Sequence, residues 1–355
     1  MNGWVTRRLP HIESGQLPTV IPKDEDLARM TLYLTEAEVG EILTMDLALD
    51  AVEDVFGAWG RGEVINHSRS RIALGRGSYN LMSAGWPEKG IVGSKSYVGG
   101  SGGISFQVLI YGASGEGLLG ILDANLMGQI RTGAASGIAT RHMARPNENS
   151  KVAVIGSGYQ ARTQLEAVAG VREIETASVY SRTAENRDGY AKVMTEKLEI
   201  PVTAAASVDE CLEGADIIIV ITNSREPVLL GDSIGEGVHI NAAGANGWQR
   251  RELDTRAVVK SDVIATDDVD QAKIECADLM AAADSGRIRW EQVLNLGEIV
   301  AGTNPGRTNA SQVTLFESQG VAMEDISVGK RVLDIALERG IGTQLPGGGM
   351  EAGSL

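Results

Sequence analysis

Between Lys151 and Asp268 the chain carries six β-rich runs, KVAVI, ETASVYS, PVTAA, DIIIVIT, GVHINAAG and DVIATDD, most of them separated by helical segments. Continuous apolar runs such as IIIVI suit strands covered on both faces, and strand–helix alternation of this kind predicts an α/β doubly wound parallel sheet of Rossmann type. The first run leads into Gly156-Ser157-Gly158, and a helix is expected to open at Tyr159. Glycine-rich turns are common, so the pattern alone would say little. Placed between a strand and a helix it acquires a mechanism. Gly156 permits the tight turn, Gly158 lets backbone approach a pyrophosphate, and Ala161 allows close helix–strand packing above free N–H groups. A dinucleotide site is expected there.

The end of the second strand bears on which dinucleotide. An NAD-preferring site usually carries Asp or Glu at that point to bind the ribose 2′-OH. Here the chain reads VYSRT, with Ser181, Arg182 and Thr183. A guanidinium flanked by hydroxyls suits a 2′-phosphate, which a carboxylate would repel. NADP(H) is therefore favoured, with NAD(H) possible.

Elsewhere the texture differs. Residues 1–30 are polar and proline-bearing and read as a lead-in arm. TEAEVGEILTMDLALDAVEDVFGAWGRGE reads as two short helices, with Thr35 and Glu38 at capping-box spacing. RIALGRG, IVGSKSYV, ISFQVLIYGA and GLLGILDA look like strands of a mostly antiparallel sheet. LMGQIRTGAASGIATRHMA is a helix rich in small residues, and ARPNENS (144–150) a linker. The tail from TLFESQG onward is expected to form a long amphipathic helix ending near Gly340.

A net charge of −15 and a pI near 4.8 argue against nucleic-acid or anionic-membrane partners, because both need clustered Lys and Arg. Cys211 and Cys276 lack metal-ligand spacing and are expected to be core or near-surface thiols; no metal is expected. The N-terminus MNGWVTRRLPHIESGQLP has no apolar h-region, and a cytoplasmic protein is expected. The four histidines, His11, His67, His142 and His239, are scattered without a nucleophile or metal partner. More telling are the isolated cations Arg71 in SRSRIAL, Lys95 in IVGSKSYV and Arg131 in GQIRTGAAS. Lys95 and Arg131 interrupt segments that are otherwise small or apolar. Cations in such settings need partners, and a substrate carboxylate is the natural one.

Together, GSKSYVGG, QIRTGAASGIATRHMARP, VAVIGSGYQARTQLEAV, VYSRT, GADIIIVITNSREPVL, GVHINAAGANGWQRREL and QAKIECADL resemble the ornithine cyclodeaminase/μ-crystallin family. The resemblance runs from about Arg71 to the C-terminal helix. It implies a homodimer whose Rossmann domain (148–309) is inserted into a substrate-binding and dimerisation domain (1–147 with 310–355). It also implies that Arg71, Lys95 and Arg131 clamp a substrate α-carboxylate, with Asn80 and Met82 in the pocket wall. Lys95 would lie near the reacting nitrogen. The implied cofactor contacts are Gly156, Ser157, Gly158, Tyr159 and Gln160, then Ser181, Arg182 and Thr183, with Thr222, Asn223 and Ser224 and also Thr132. Two positions depart from the cyclodeaminase pattern: Asn80 and Asn246 stand where cyclodeaminases carry carboxylates. An amide does not titrate, so Asn246 could orient a proton donor but not replace it.

These readings favour an oxidoreductase that reduces an imino acid to an α-amino acid, or runs the reverse, on a small-molecule substrate. Two alternatives stay open at this point: an ammonia-eliminating cyclodeaminase with recycled nucleotide, and a nucleotide-dependent binding protein with little turnover.

Overall fold

The computed structural model describes residues 30–100, 103–146 and 149–346. The arm expected over residues 1–30 lies outside these except for Met30, as do His11 and the linker residues Asn147 and Glu148.

The first part of the chain is α+β. β1 (Thr31–Leu34) is followed by α1 (Glu36–Ile42) and α2 (Met45–Gly60), then β2 (Ile65–Ala73), β3 (Gly77–Trp86), β4 (Ile91–Gly100), β5 (Gly103–Gly112), β6 (Gly117–Asp123) and α3 (Asn125–Met143). The expected capping box forms: Thr35 and Glu38 exchange backbone and side-chain hydrogen bonds at the start of α1. With β15 (Thr343–Leu345) the strands make a seven-stranded sheet in the order β15-β1-β6-β5-β4-β3-β2, antiparallel except between β1 and β6. Three of its strands, β1, β3 and β15, have no counterpart among the strands expected from the sequence. β3 reads GSYNLMSAGW, and its glycines and serines hide the alternation that puts Met82 and Ala84 inward.

The expected parallel sheet forms from β7 (Ser150–Ile155), β8 (Ile174–Tyr180), β9 (Val202–Ala204), β10 (Ile217–Val220), β11 (His239–Ala242), β12 (Val263–Thr266), β13 (Val293–Asn295) and β14 (Thr314–Glu317). The order is β13-β12-β14-β11-β10-β7-β8-β9, and every pairing is parallel. Helices α4 (Tyr159–Ala169), α5 (Ala184–Leu198), α6 (Val208–Leu212), α7 (Thr255–Lys260), α8 (Val269–Glu275), α9 (Ala277–Asp284) and α10 (Leu296–Val300) connect it. The strand order reverses between β7 and β10, and open sheets of this kind bind ligands in the crevice at that point.

TLFE is not the start of the tail helix. It is β14, inside the parallel sheet between β12 and β11, and the helix α11 (Ala322–Arg339) begins only after the Ser318-Gln319-Gly320 turn. A buried four-residue strand leaves no room for a periodic signal, so the helical pattern behind it dominates the sequence. The helix does stop at Gly340, at φ 66°.

β14 also explains how the two sheets share a core. Leu315 packs with Ile240, Ile264 and Leu279 on one face, whereas the next residue, Phe316, points the other way and joins Met127, Ile138 and Ile326 in the core beneath the antiparallel sheet. Leu165, Val179 and Met194 fill a third cluster around β7 and β8.

Candidate active site

A cleft of about 960 Å³ lies between the two sheets. One end carries the glycine turn between strand and helix that the sequence predicts. Gly156 takes φ +116°, and a Cβ there would stand 2.1 Å from the Ile221 carbonyl oxygen, so the position requires glycine. Around Gly158 a Cβ would meet nothing within 4 Å. That residue caps α4 without any side-chain hydrogen bond, which leaves the first-turn N–H groups of an 11-residue helix open to an anion. Gln160 adds a buried Oε1 with no partner. A glycine cradle, an uncapped helix and a long cleft fit a dinucleotide. Gly156, Ser157, Gly158, Tyr159, Gln160, Ser181, Arg182, Thr183, Thr222, Asn223, Ser224 and Thr132 all line the cleft.

Two loops that follow β10 and β11 form the cleft wall, and a residue missed in the sequence joins them. The Glu252 carboxylate accepts from the backbone N–H groups of Thr222 and Gly244. Burial pushes its pKa up to about 7, against those two donors. Asp278 in turn accepts from the N–H groups of Glu252 and Leu253, at 3.1 and 3.2 Å.

The other end of the cleft holds the cations. Lys95, at the centre of β4 with Met82 and Val108 as its cross-strand neighbours, is 2% exposed. Its Nζ donates to Asp325 Oδ1 at 2.9 Å and sits 5.0 Å from the Phe106 ring centroid. Arg131, on α3, donates from Nε to the same oxygen at 3.0 Å and from NH1 to Glu324 Oε2 at 2.7 Å. Burial, and after it the Arg131 guanidinium, lower the pKa of Lys95 to about 8 against the pull of Asp325. Burial raises Glu324 to about 8. Tyr97, Phe106 and Ile104 supply the apolar wall beside these charges.

The structure brings Lys95, Arg131 and Met82 together in the cleft. Arg71 stands at its edge: NH2 donates to the Asn246 carbonyl at 3.0 Å, Nε donates to Asn80 Oδ1 at 3.1 Å, and Glu275 pairs with it at 3.0 Å. Of the two arginines in SRSR, the one that lines the cleft is Arg69, buried and held by Glu275 and by the Gln319 and Gly320 carbonyls. The repeated arginine in SRSR carried that signal, because residues two apart on a strand share a face. A β-bulge between His67 and Ser70 adjusts the register there. Asn80 is buried, donating to Ser78 Oγ at 2.9 Å, and does not line the cleft; Asn246 does. Glu324 and Asp325 gave no sequence signal, since acids in a first helical turn read as dipole partners facing solvent.

The described histidines stay outside this machinery. Buried His239 hydrogen-bonds Thr314 and Asn241, and burial lowers its pKa to about 3; His142 pairs with Glu53 at 2.7 Å. Both cysteines are buried and free. Among the described residues no helix is long and apolar enough to cross a membrane.

The sequence pattern of the ornithine cyclodeaminase/mu-crystallin family matches residues 29–340. The chain belongs to that family. Among solved structures, this family member is similar to the Δ1-pyrroline-2-carboxylate reductase of Thermococcus litoralis in complex with NADH and L-proline. The TM-score is 0.84 at 33% identity, covering 89% of this chain and 100% of that one. It is also similar to an archaeal alanine dehydrogenase dimer with bound NAD, with TM-score 0.83, 30% identity and 89% and 99% coverage. The iminosuccinate reductase of Paracoccus denitrificans in complex with NAD+ gives TM-score 0.84 at 27% identity, with 89% and 99% coverage.

Proposed function

We propose that the chain is an NAD(P)H-dependent oxidoreductase that reduces an imino acid, a C=N bond beside a carboxylate, to an α-amino acid, or runs the reverse. The observation that carries this reading is the pair Lys95 and Arg131, buried side by side in the cleft that also holds the glycine cradle. A bound reduced nicotinamide supplies hydride to the imine carbon. The two cations offset the substrate carboxylate's charge and fix its orientation. Lys95 holds the proton that the nitrogen takes up, and its lowered affinity for that proton suits donation near neutral pH. Met82, Tyr97 and Phe106 keep water from the reacting atoms. Asn80 and Asn246, amides where the cyclodeaminase pattern has carboxylates, support reduction over ammonia elimination.

Arg182, flanked by Ser181 and Thr183 at the cleft end of β8, supports NADP(H) as the preferred form, whereas the similar solved structures hold NADH, NAD and NAD+. The outer face of the antiparallel sheet exposes Ile72, Leu81, Val92, Val98 and Tyr111, and that apolar face supports assembly as a homodimer. The direct test follows reduced-nicotinamide absorbance over a panel of cyclic imine carboxylates and of 2-oxo acids supplied with ammonia or methylamine. Stoichiometric oxidation with at least one imine is expected. Ammonia release from a diamino acid without net oxidation would replace this reading with the cyclodeaminase one. Tight binding without turnover of any substrate would leave a binding protein.

A further inference from the structure

Asp325 touches both cations of the pair. Its Oδ1 accepts from Lys95 Nζ at 2.9 Å and from Arg131 Nε at 3.0 Å; the carboxylate is fully buried, and Oδ2 has no hydrogen-bond partner. It lies in the first turn of α11, an 18-residue helix whose N-terminal dipole favours an anion there. We infer that Asp325 is a positioning residue: it holds Lys95 and Arg131 as one unit and sets how tightly Lys95 keeps the proton it passes to the substrate nitrogen. The inference rests on the imine-reduction reading above.

The surroundings of Lys95 leave few other groups to do this. From α3 comes Arg131, from β2 the buried Arg69 with its Glu275 counter-ion on α8, and from α11 Glu324 and Asp325. Asp267, after β12, faces this cluster while accepting from the Gln319 and Gly320 N–H groups. Lys330 and Arg331 of α11 pair elsewhere, with Asp334 and Asp54. On the flanking strands, Tyr79 and Tyr111 pair in register with Val98 and Val92, an odd number of residues from Lys95 and therefore on the opposite face; Tyr97 shares the Lys95 face and packs against Phe106 with the two rings tilted. Burial, Arg131 and Arg69 all weaken the Lys95 proton, and Asp325 is the group that strengthens it. Glu324 reaches Arg131 only.

The geometry predicts opposite effects from two substitutions. Reduction consumes a proton, so the rate falls on the alkaline side as Lys95 loses its own. In Asp325→Asn the carboxylate charge is gone, and the alkaline limb of reductive kcat/KM should move to lower pH by about one unit or more, a tenfold loss of proton affinity. In Arg131→Gln a repelling charge is gone, and the limb should move to higher pH even as substrate KM rises. The profiles are measured on the full-length enzyme, with circular dichroism confirming the fold; if Asp325→Asn does not fold, the direction of the Arg131→Gln shift decides. An Asp325→Asn enzyme slower at every pH with an unmoved limb, or an Arg131→Gln limb displaced downward, overturns the inference. Lys95→Arg separates the two levels. If it keeps the limb, Lys95 is not the donor and the inference falls, while imine reduction itself is judged by the absorbance panel. If it loses the limb while Asp325→Asn retains it, only the role of Asp325 falls.

Discussion

Arg182 and Arg131 are both cleft-lining arginines, and their surroundings give them different chemistry. Arg131 is buried and its charge is matched by two carboxylates, so removing it leaves Glu324 and Asp325 less compensated. Arg182 lies at the cleft mouth with no salt bridge among the described residues, so its charge is available to a ligand. Arg182→Glu should therefore raise the KM for NADPH while sparing or improving that for NADH. A charge-assisted contact worth about 2 kcal/mol corresponds to roughly a thirty-fold change in the NADPH-to-NADH preference. Paired initial-rate measurements with the two nucleotides check this; an unchanged ratio would remove Arg182 from the 2′-phosphate site.

At the scale of elements, the turns after β10 and β11 depend on the Glu252 carboxylate, which ties the Thr222 and Gly244 N–H groups. Its pKa rises from an ordinary 4.5 to about 7, so between those values the folded chain binds more protons than the unfolded one. Stability from this group is present at the acid end of that window and declines as pH rises through 7. In Glu252→Gln that dependence disappears. The difference in Tm, variant minus wild type, should accordingly grow from pH 4.5 to 7, and differential scanning fluorimetry across that range reads it. A flat difference would mean that Glu252 stays charged throughout. Much of the element layout was legible in the chain: the six runs of the parallel sheet, the glycine cradle and the α1 capping box each declare themselves within a dozen residues. β3, β14 and the counter-ions Glu275, Glu324 and Asp325 did not. Their roles depend on contacts between segments far apart in sequence, such as Arg69 with Glu275 and Lys95 with Asp325, and no local periodicity records a pairing of that span.

For the whole molecule, the outer face of the antiparallel sheet sets the expected assembly. A single charge introduced among Ile72, Leu81, Val92 and Val98 would be desolvated in a symmetric interface twice over, once for each copy. Leu81→Glu should convert a dimer to monomer in sedimentation-velocity measurements, and a sedimentation coefficient equal to the wild type's would place any interface elsewhere. The path of the chain has a further consequence. β14 completes the nucleotide sheet, and only the Ser318–Val321 stretch separates it from the helix that carries Glu324 and Asp325. Within that stretch, the Gly320 carbonyl is held by Arg69 and Gln271 and its N–H by Asp267. The stretch that joins the two sheets is therefore fixed by side chains that border the Lys95 site. For the same reason the two halves are not separable modules. A cut before β14 would strip a central strand from one and the counter-ions from the other.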